Sequence, residues 1–325
     1  QKDHSSSFQR KLTRKPAAMF FQTVAAAAVL AVGVAADGRP SNTSICDYYT
    51  TALLMNNTAA NQMTLLTLVV NTAVIDTKPN VGIAVPGILA KGMYNGTEVN
   101  LAPYFNGGLA STNTGGSVGR SVNFLDGGGA APLMKNMPSM DNTSNQYTLL
   151  THLYTYFGVL LGCSMQGGGD YPAYTGHESM YTVHKFMDLS AAEVGYFISQ
   201  VAMSAASFGV AEDDLTVVGK ALTSTFDVKC APPTAVIKSQ GPQLQSICID
   251  ETCPLADNST CAMYNGTTVK PTVANATLAG NTTASSSASS TMMPSSSSTS
   301  TSKSGAVAVG MSFAAVFGGL AAFLL

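Results

Sequence analysis

Histidine is scarce in this chain, and one histidine lies where an imidazole could carry chemistry. The sequence has four histidines, and three of them follow its apolar N-terminal stretch: His152, His177 and His184. If residues 180–187 are helical, His184 shares one face with three apolar residues, namely Met180, Val183 and Met187. An imidazole on an apolar face is either a neutral core histidine or an axial ligand of a metal cofactor.

The other two histidines have simpler interpretations. His152 lies in an apolar pattern of helical period, where a solvent-facing histidine and a ligand or hydrogen-bond donor to a cofactor are both consistent with the position. His177 directly follows Gly176, which favours a surface residue at the start of a helix.

The region from residue 146 to residue 230 has the most regular pattern in the chain. Apolar residues recur at helical spacing from Leu149 to Leu161, and Gly162 ends that helix. Ser190 and Glu193 form a capping box that starts another helix, which Gly209 terminates. Acidic residues 212–214 then suit the positive end of a third helix dipole, and the sequence therefore predicts a helical hairpin.

The order of these pieces resembles the C-terminal half of truncated globins. The resemblance covers residues 149–228 and rests on the sequence 153–162, then Tyr174-Thr175-Gly176, then Met180 followed four residues later by His184, then the hairpin. It implies a haem cofactor with His184 as the proximal ligand of the iron, whose other ring nitrogen donates to a backbone carbonyl. The candidate cofactor-lining residues are Met180, Val183 and Met187 on the face of His184, then Leu149, His152, Leu153 and Tyr156 by their helix positions, and Tyr174.

The N-terminal half predicts two helices and a long irregular segment. Apolar runs at residues 48–55 and 63–75 favour helices, although the Val and Thr content of the second leaves a strand open. Residues 79–144 are crowded with Gly, Asn and Pro, which break regular elements. The expected fold class is therefore all-α: a globin-like helical domain with a long Gly-rich irregular insertion, stapled by disulfides and followed by a disordered Ser/Thr stalk.

The six cysteines indicate three disulfides if the chain folds in an oxidising compartment. They are Cys46, Cys163, Cys230, Cys248, Cys253 and Cys261. Fifteen connectivities are open. A zinc site at Cys248, Cys253 and Cys261 is disfavoured, because paired Cys-x-x-Cys spacing and a nearby histidine are both missing.

Both ends of the chain predict targeting segments. Residues 1–36 are expected to be an N-terminal extension and signal peptide, cleaved before Asp37, and residues 37–266 form the ectodomain. Residues 267–304 are a Ser/Thr-rich stalk, and the apolar end at 305–325 is typical of a glycosylphosphatidylinositol (GPI) anchor signal. A retained transmembrane helix is the alternative, but the basic flank of such a span is lacking.

The remaining features support an extracellular glycoprotein. Eight Asn-x-Ser/Thr sequons occur, at Asn42, Asn56, Asn95, Asn142, Asn258, Asn265, Asn275 and Asn281. The net charge of −2 is unclustered, which argues against nucleic acid as a partner. No Gly-x-Ser-x-Gly occurs beside a plausible strand and helix, so the sequence shows no serine-hydrolase elbow.

Two functions follow as hypotheses. The first is a cell-surface, GPI-anchored haem protein that binds oxygen or another diatomic gas or has a redox role. The second is a structural or adhesive GPI-anchored glycoprotein without a cofactor. The expected partners are a gas ligand, the plasma membrane through the GPI lipid, and cell-wall glycans.

Overall fold

The computed structural model describes residues 38–75, 83–264 and 269–280. Its longer helices are α1 (Ile45–Leu54), α2 (Ala59–Val74), α5 (Asn145–Leu161), α7 (Ala191–Ser207) and α8 (Glu212–Phe226). The short helices are α3 (Ala102–Phe105), α4 (Ala130–Leu133) and α6 (Met180–His184). The strands are β1 (Gly92–Tyr94), β2 (Thr97–Val99), β3 (Leu109–Ala110) and β4 (Thr272–Val273). Three 3₁₀ turns complete the described elements: Asn113–Gly115, Lys238–Gln240 and Cys261–Met263.

The five longer helices form a bundle around one apolar core. Helix α2 lies at its centre and packs against α5 and α7, while α1 packs on α2 and α5, and α7 on α8. Most of the helices begin at a hydroxyl side chain that accepts a backbone N–H of the first turn, because those amides have no partner within the helix. These caps are Ser44, Thr58, Ser144, Ser179 and Ser190.

The structure confirms the helices predicted from local pattern. The segment at residues 63–75, for which a strand was the alternative to a helix, is helical and belongs to α2. Gly162 ends α5 in the left-handed conformation, with φ +74°. The capping box of Ser190 and Glu193 is formed at the start of α7, and Gly209, with φ +86°, follows its end.

The expected all-α fold is wrong, because the structure is mixed and contains two small antiparallel sheets. Strands β1 and β2 form a hairpin inside the segment expected to be irregular, and Tyr94 pairs with Thr97 across a two-residue turn. The turn residues Asn95 and Gly96 have φ of +47° and +81°. Two successive positive φ values match the right-handed twist of a hairpin, which is why Asn-Gly is favoured there.

The hairpin docks on helix α7 through two reciprocal contacts between a glycine and a tyrosine ring. A side chain at Gly92 would overlap the ring of Tyr196, and a side chain at Gly195 would overlap the ring of Tyr94. Each ring therefore fills the space that the opposing glycine leaves. This contact anchors the hairpin on α7 through Tyr94, and Val99 at the hairpin's end is buried, whereas Met93, Thr97 and Glu98 are exposed.

The expectation of a disordered stalk at residues 267–304 is wrong at the beginning of that segment. Strand β4 lies there and pairs with β3, Leu109 with Val273 and Ala110 with Thr272. The backbone amide of Ala274 also donates to the carbonyl of Gly108 at 2.9 Å. Backbone pairing of this kind depends little on side-chain composition, so a polar sequence did not exclude it.

A buried ion pair ties the first described residues to the start of α8. Arg39 is 3% exposed and Asp214 is fully buried. The Arg39 Nε and Nη2 atoms donate to Oδ1 of Asp214 at 2.9 and 2.7 Å. The Tyr49 hydroxyl donates to Oδ2 of Asp214 at 2.9 Å and accepts the amide of Ala211 at 2.8 Å.

All six cysteines are paired, as the even count predicted. The bonds join Cys46 to Cys163, Cys230 to Cys261, and Cys248 to Cys253. The first bond fixes α1 to the end of α5, and the other two close loops within the C-terminal segment, residues 230–261. The pairing leaves no thiolate for the disfavoured zinc site.

The predicted signal peptide and GPI signal lie outside the described residues, as do Asn265 and Asn281. Within the described ranges, none of the helices has the length and apolar character needed to cross a bilayer.

Candidate functional site

His184 is the last residue of the short helix α6, and its ring is held in one orientation. Nδ1 lies 2.8 Å from the carbonyl oxygen of Met180. A carbonyl can only accept a hydrogen bond, so Nδ1 carries the proton and a neutral ring keeps its lone pair on Nε2. No hydrogen bond to Nε2 occurs among the described residues. Desolvation lowers the pKa of His184, against a smaller opposing effect of the Met180 carbonyl, so the ring is neutral at pH 7.

We call residues 178–190 the His184 segment. Its first half is hydrogen-bonded to the C-terminal part of the chain. Gln245, which is 1% exposed, accepts the amide of Met180 at 3.2 Å and donates to the carbonyl of Glu178 at 3.1 Å. The carbonyl of Leu244 accepts the amide of Tyr181 at 3.2 Å. These bonds satisfy amides that a one-turn helix leaves without partners.

The second half of the His184 segment is held from two other directions. The Tyr104 hydroxyl lies 3.2 Å from the carbonyl of Met187 and 3.0 Å from Oε1 of Glu193. The carbonyl of Leu189 accepts the amide of Ile249 at 3.0 Å, beside the Cys248–Cys253 bond. The segment is therefore fixed by α3, by α7 and by the disulfide loop together.

An aromatic cluster lies beside α5. The ring of Tyr174 packs edge-on against Tyr156, with centroids 5.1 Å apart, and against His152 at 5.9 Å. Phe226 of α8 lies 6.4 Å from Tyr156. The Tyr156 hydroxyl is buried without a hydrogen-bond partner. Such a group is uncommon in folded proteins, because burying an unpaired hydroxyl costs about 1–3 kcal/mol.

The other predicted histidines differ in environment. His152 is partly buried, and desolvation together with the nearby His177 lowers its pKa. His177 is exposed, and its Nε2 lies 3.5 Å from the amide nitrogen of Asn113. The Tyr174 hydroxyl donates to the carbonyl of His177 at 2.9 Å, which links this residue to the aromatic cluster. His177 thus has the surface position expected of it.

The predicted cofactor-lining residues are not all brought together. The partly buried ones that pack on the main core are Leu149, Leu153, Tyr174, Met180 and Met187. Val183 is partly buried but does not belong to that group. An apolar cavity of about 60 Å³ lies inside the bundle, among residues such as Leu66, Phe157 and Leu222. Of the predicted set, Leu153 alone lines this cavity, which does not extend to His184.

The donor set at His184 fits one axial ligand of a haem. A ligating histidine characteristically donates its other ring N–H to a carbonyl, which orients the ring, and Nδ1 of His184 does so. The described residues contain no cluster of three or more His, Cys, Asp or Glu able to hold a metal ion by themselves.

Sequence reasoning missed two residues that position the site. Gln245 lies 65 residues from Met180, and nothing local marks it as a partner of α6. Tyr104 lies in the segment expected to be irregular, where Pro103 inside a turn was the one sign of an ordered element. Only the tertiary fold shows these contacts.

Comparison with known proteins gives no relative to argue from. No family model, no curated protein and no solved structure matches the chain.

Proposed function

We propose that this chain is an extracellular, cell-surface glycoprotein that binds haem through Nε2 of His184. The observation that carries the proposal is the hydrogen bond from Nδ1 to the Met180 carbonyl, since it leaves a neutral ring with an unpaired nitrogen. A surface histidine would be free to rotate and to take up a proton. Haem, when bound, would supply an iron centre that takes up oxygen or another diatomic gas, or that changes redox state.

In this proposal the chain positions the cofactor and controls its surroundings. His184 supplies the axial nitrogen, and Gln245 and Tyr104 keep the His184 segment in place. Met180 and Val183 of α6, and Met187 in the turn that follows the helix, are apolar residues within four positions of the ligand in sequence.

Two observations support the extracellular location. The three disulfides are typical of an oxidising compartment. Every sequon asparagine that the structure describes is exposed, as an acceptor of a bulky glycan must be: Asn42, Asn56, Asn95, Asn142, Asn258 and Asn275. A GPI lipid at the C-terminal end would then attach the domain to the plasma membrane or the cell wall, where contact with wall glycans follows.

One observation favours the second function, an adhesive or structural surface glycoprotein without a cofactor. The bundle cavity is too small for a porphyrin and does not reach His184, and the rings of His152, Tyr156 and Tyr174 already pack together. Haem binding therefore requires these side chains to move apart. The adhesive function requires no such movement.

Haemin titration separates the two functions. The full chain, secreted from a eukaryotic host, is titrated with haemin and its visible spectrum recorded. We expect a shifted Soret band at one equivalent, lost in His184→Ala and kept in His177→Ala, which alters an exposed histidine of the same region. A band that survives in His184→Ala, or a wild-type chain that takes up no haemin, would sink the haem proposal.

A further inference from the structure

The loop between α4 and α5 exposes three methionines at regular spacing. Met134, Met137 and Met140 are 64%, 40% and 63% exposed. The loop is outside the His184 site and independent of the haem proposal. Within the described ranges no methionine is fully buried, and Met63, Met180 and Met187 pack against the core with part of their surface exposed. A large apolar side chain that is exposed to solvent does not contribute the stabilisation of burial. Three exposed methionines within seven residues therefore suggest a binding role.

The loop is a closed, ordered turn. After α4 the backbone reverses at Asn136, which has φ +57°, and the amide of Met137 donates to the carbonyl of Pro132 at 3.0 Å. This is the hydrogen-bond pattern of a Schellman motif. The amide of Met140 then donates to the carbonyl of Gly127 at 2.7 Å, which closes residues 127–140 into a ring.

A buried glutamine fixes this ring to helix α5. Gln146 is fully buried. Its Oε1 accepts the amide of Gly129 at 2.8 Å, and its Nε2 donates to the carbonyls of Gly129 and Pro138, each at 2.9 Å. The methionines thus project from a backbone that is ordered before any ligand binds, which lowers the entropic cost of binding.

The spacing allows the thioethers to converge. Met137 is three residues from each of the other two methionines, so neighbouring Cα atoms lie at most about 10 Å apart, a gap that two long methionine side chains can span. A side chain built at Gly128 would lie 3.1 Å from Sδ of Met140 and 3.2 Å from Pro132. The Met140 sulfur therefore lies over the ring, beside Gly128.

The chemistry of the loop selects one class of ion. Thioethers are soft, uncharged ligands that favour Cu(I) over Zn²⁺, Mg²⁺ or Ca²⁺. Residues 127–140 contain no His, Cys, Asp or Glu, and Lys135 is their one charged side chain. The flanking carboxylates of Asp126 and Asp141 accept hydrogen bonds from residues 143–146. Within the ring the thioethers are the side chains suited to a soft monovalent ion.

We propose that Met134, Met137 and Met140 form a binding site for a soft monovalent metal ion, Cu(I) or its analogue Ag(I). Thioethers do not titrate, so the affinity of the site is constant between pH 4.5 and pH 7.5. A site built from histidine would lose affinity over the same range, because its ligands take up protons.

The test titrates the full chain with Ag(I) in chloride-free buffer and measures the binding by isothermal titration calorimetry. The binding variant is Met134→Leu/Met137→Leu/Met140→Leu, which keeps side-chain volume and removes the sulfurs. The control is Met55→Leu/Met93→Leu/Met165→Leu, which removes three dispersed methionines that are 82%, 63% and 47% exposed.

We expect one tightly bound equivalent of Ag(I) in the wild type and in the control, and at least 30-fold weaker binding in the loop variant. Circular dichroism must show that both variants fold. Equal affinity in the loop variant, no tight equivalent in the wild type, or an affinity that falls with decreasing pH would each overturn the proposal.

Discussion

The buried network of Arg39, Tyr49 and Asp214 gives the sharpest stability prediction. The change Asp214→Asn removes the negative charge that faces a guanidinium only 3% exposed. Arginine cannot release its proton, so the substitution leaves an uncompensated buried charge, which costs about 3–5 kcal/mol. Tyr49→Phe removes a hydroxyl that both donates and accepts a hydrogen bond, at a cost of about 1–3 kcal/mol.

The two changes are expected to be strongly non-additive, because the Tyr49 hydroxyl and Arg39 share one carboxylate. The double variant should lose less stability than the sum of the single variants, by about 1–2 kcal/mol. The chain has no Trp, so urea unfolding of the oxidised protein is followed by circular dichroism and tyrosine fluorescence.

The matched control is Asp213→Asn, one residue earlier in the same helix turn. Asp213 is exposed, so its loss removes only a favourable interaction with the helix dipole, about 0.3–1 kcal/mol. The reasoning is refuted if Asp214→Asn costs no more than this control, or if the effects of Asp214→Asn and Tyr49→Phe simply add.

Two further predictions concern pH and the disulfides. Burial raises the pKa of Asp227 to about 7, against about 3.9 in the unfolded chain, so the free energy of unfolding falls as pH rises from about 4 to 7. Asp227→Asn removes this ionisation. With an allowance for partial solvation of the carboxyl group, the variant should be more stable than the wild type by about 2 kcal/mol in urea unfolding at pH 7.5, and equally stable at pH 4. A disulfide that closes a longer loop restricts the unfolded chain more, so its loss costs more stability. Replacing Cys46 and Cys163 by Ala, 117 residues apart, should cost about 5 kcal/mol, and replacing Cys248 and Cys253, 5 residues apart, about 2 kcal/mol. Equal losses in calorimetric melting would contradict this argument.

The helices were predictable because their determinants are local. The capping box of Ser190 and Glu193, and the glycines after α5 and α7, are visible within one or two turns of sequence. The β1–β2 hairpin carried a local sign as well, the Asn95-Gly96 pair, but three-residue strands are too short to show alternation. Pairing of β3 with β4 joins segments far apart in sequence and left no local trace.

The candidate site was predictable only in part for the same reason. The position of His184 on an apolar helical face depends on residues within one turn of it, as does the hydrogen bond to Met180. The supports from Gln245 and Tyr104 are 65 and 83 residues away from their partners. The spacing of Met134, Met137 and Met140 is visible in the sequence. The proposed metal site also requires these side chains to be exposed, and their exposure follows only from the fold.

The placement of β4 determines how the domain would respond to tension. On a chain held at its C-terminal end, a pull reaches the pair of β4 with β3 first, and these few backbone hydrogen bonds peel away one after another. The Cys230–Cys261 bond then keeps residues 231–260 from being drawn out, because the load passes from Cys261 directly to Cys230. The first slack released under tension is therefore the short tether that contains β4.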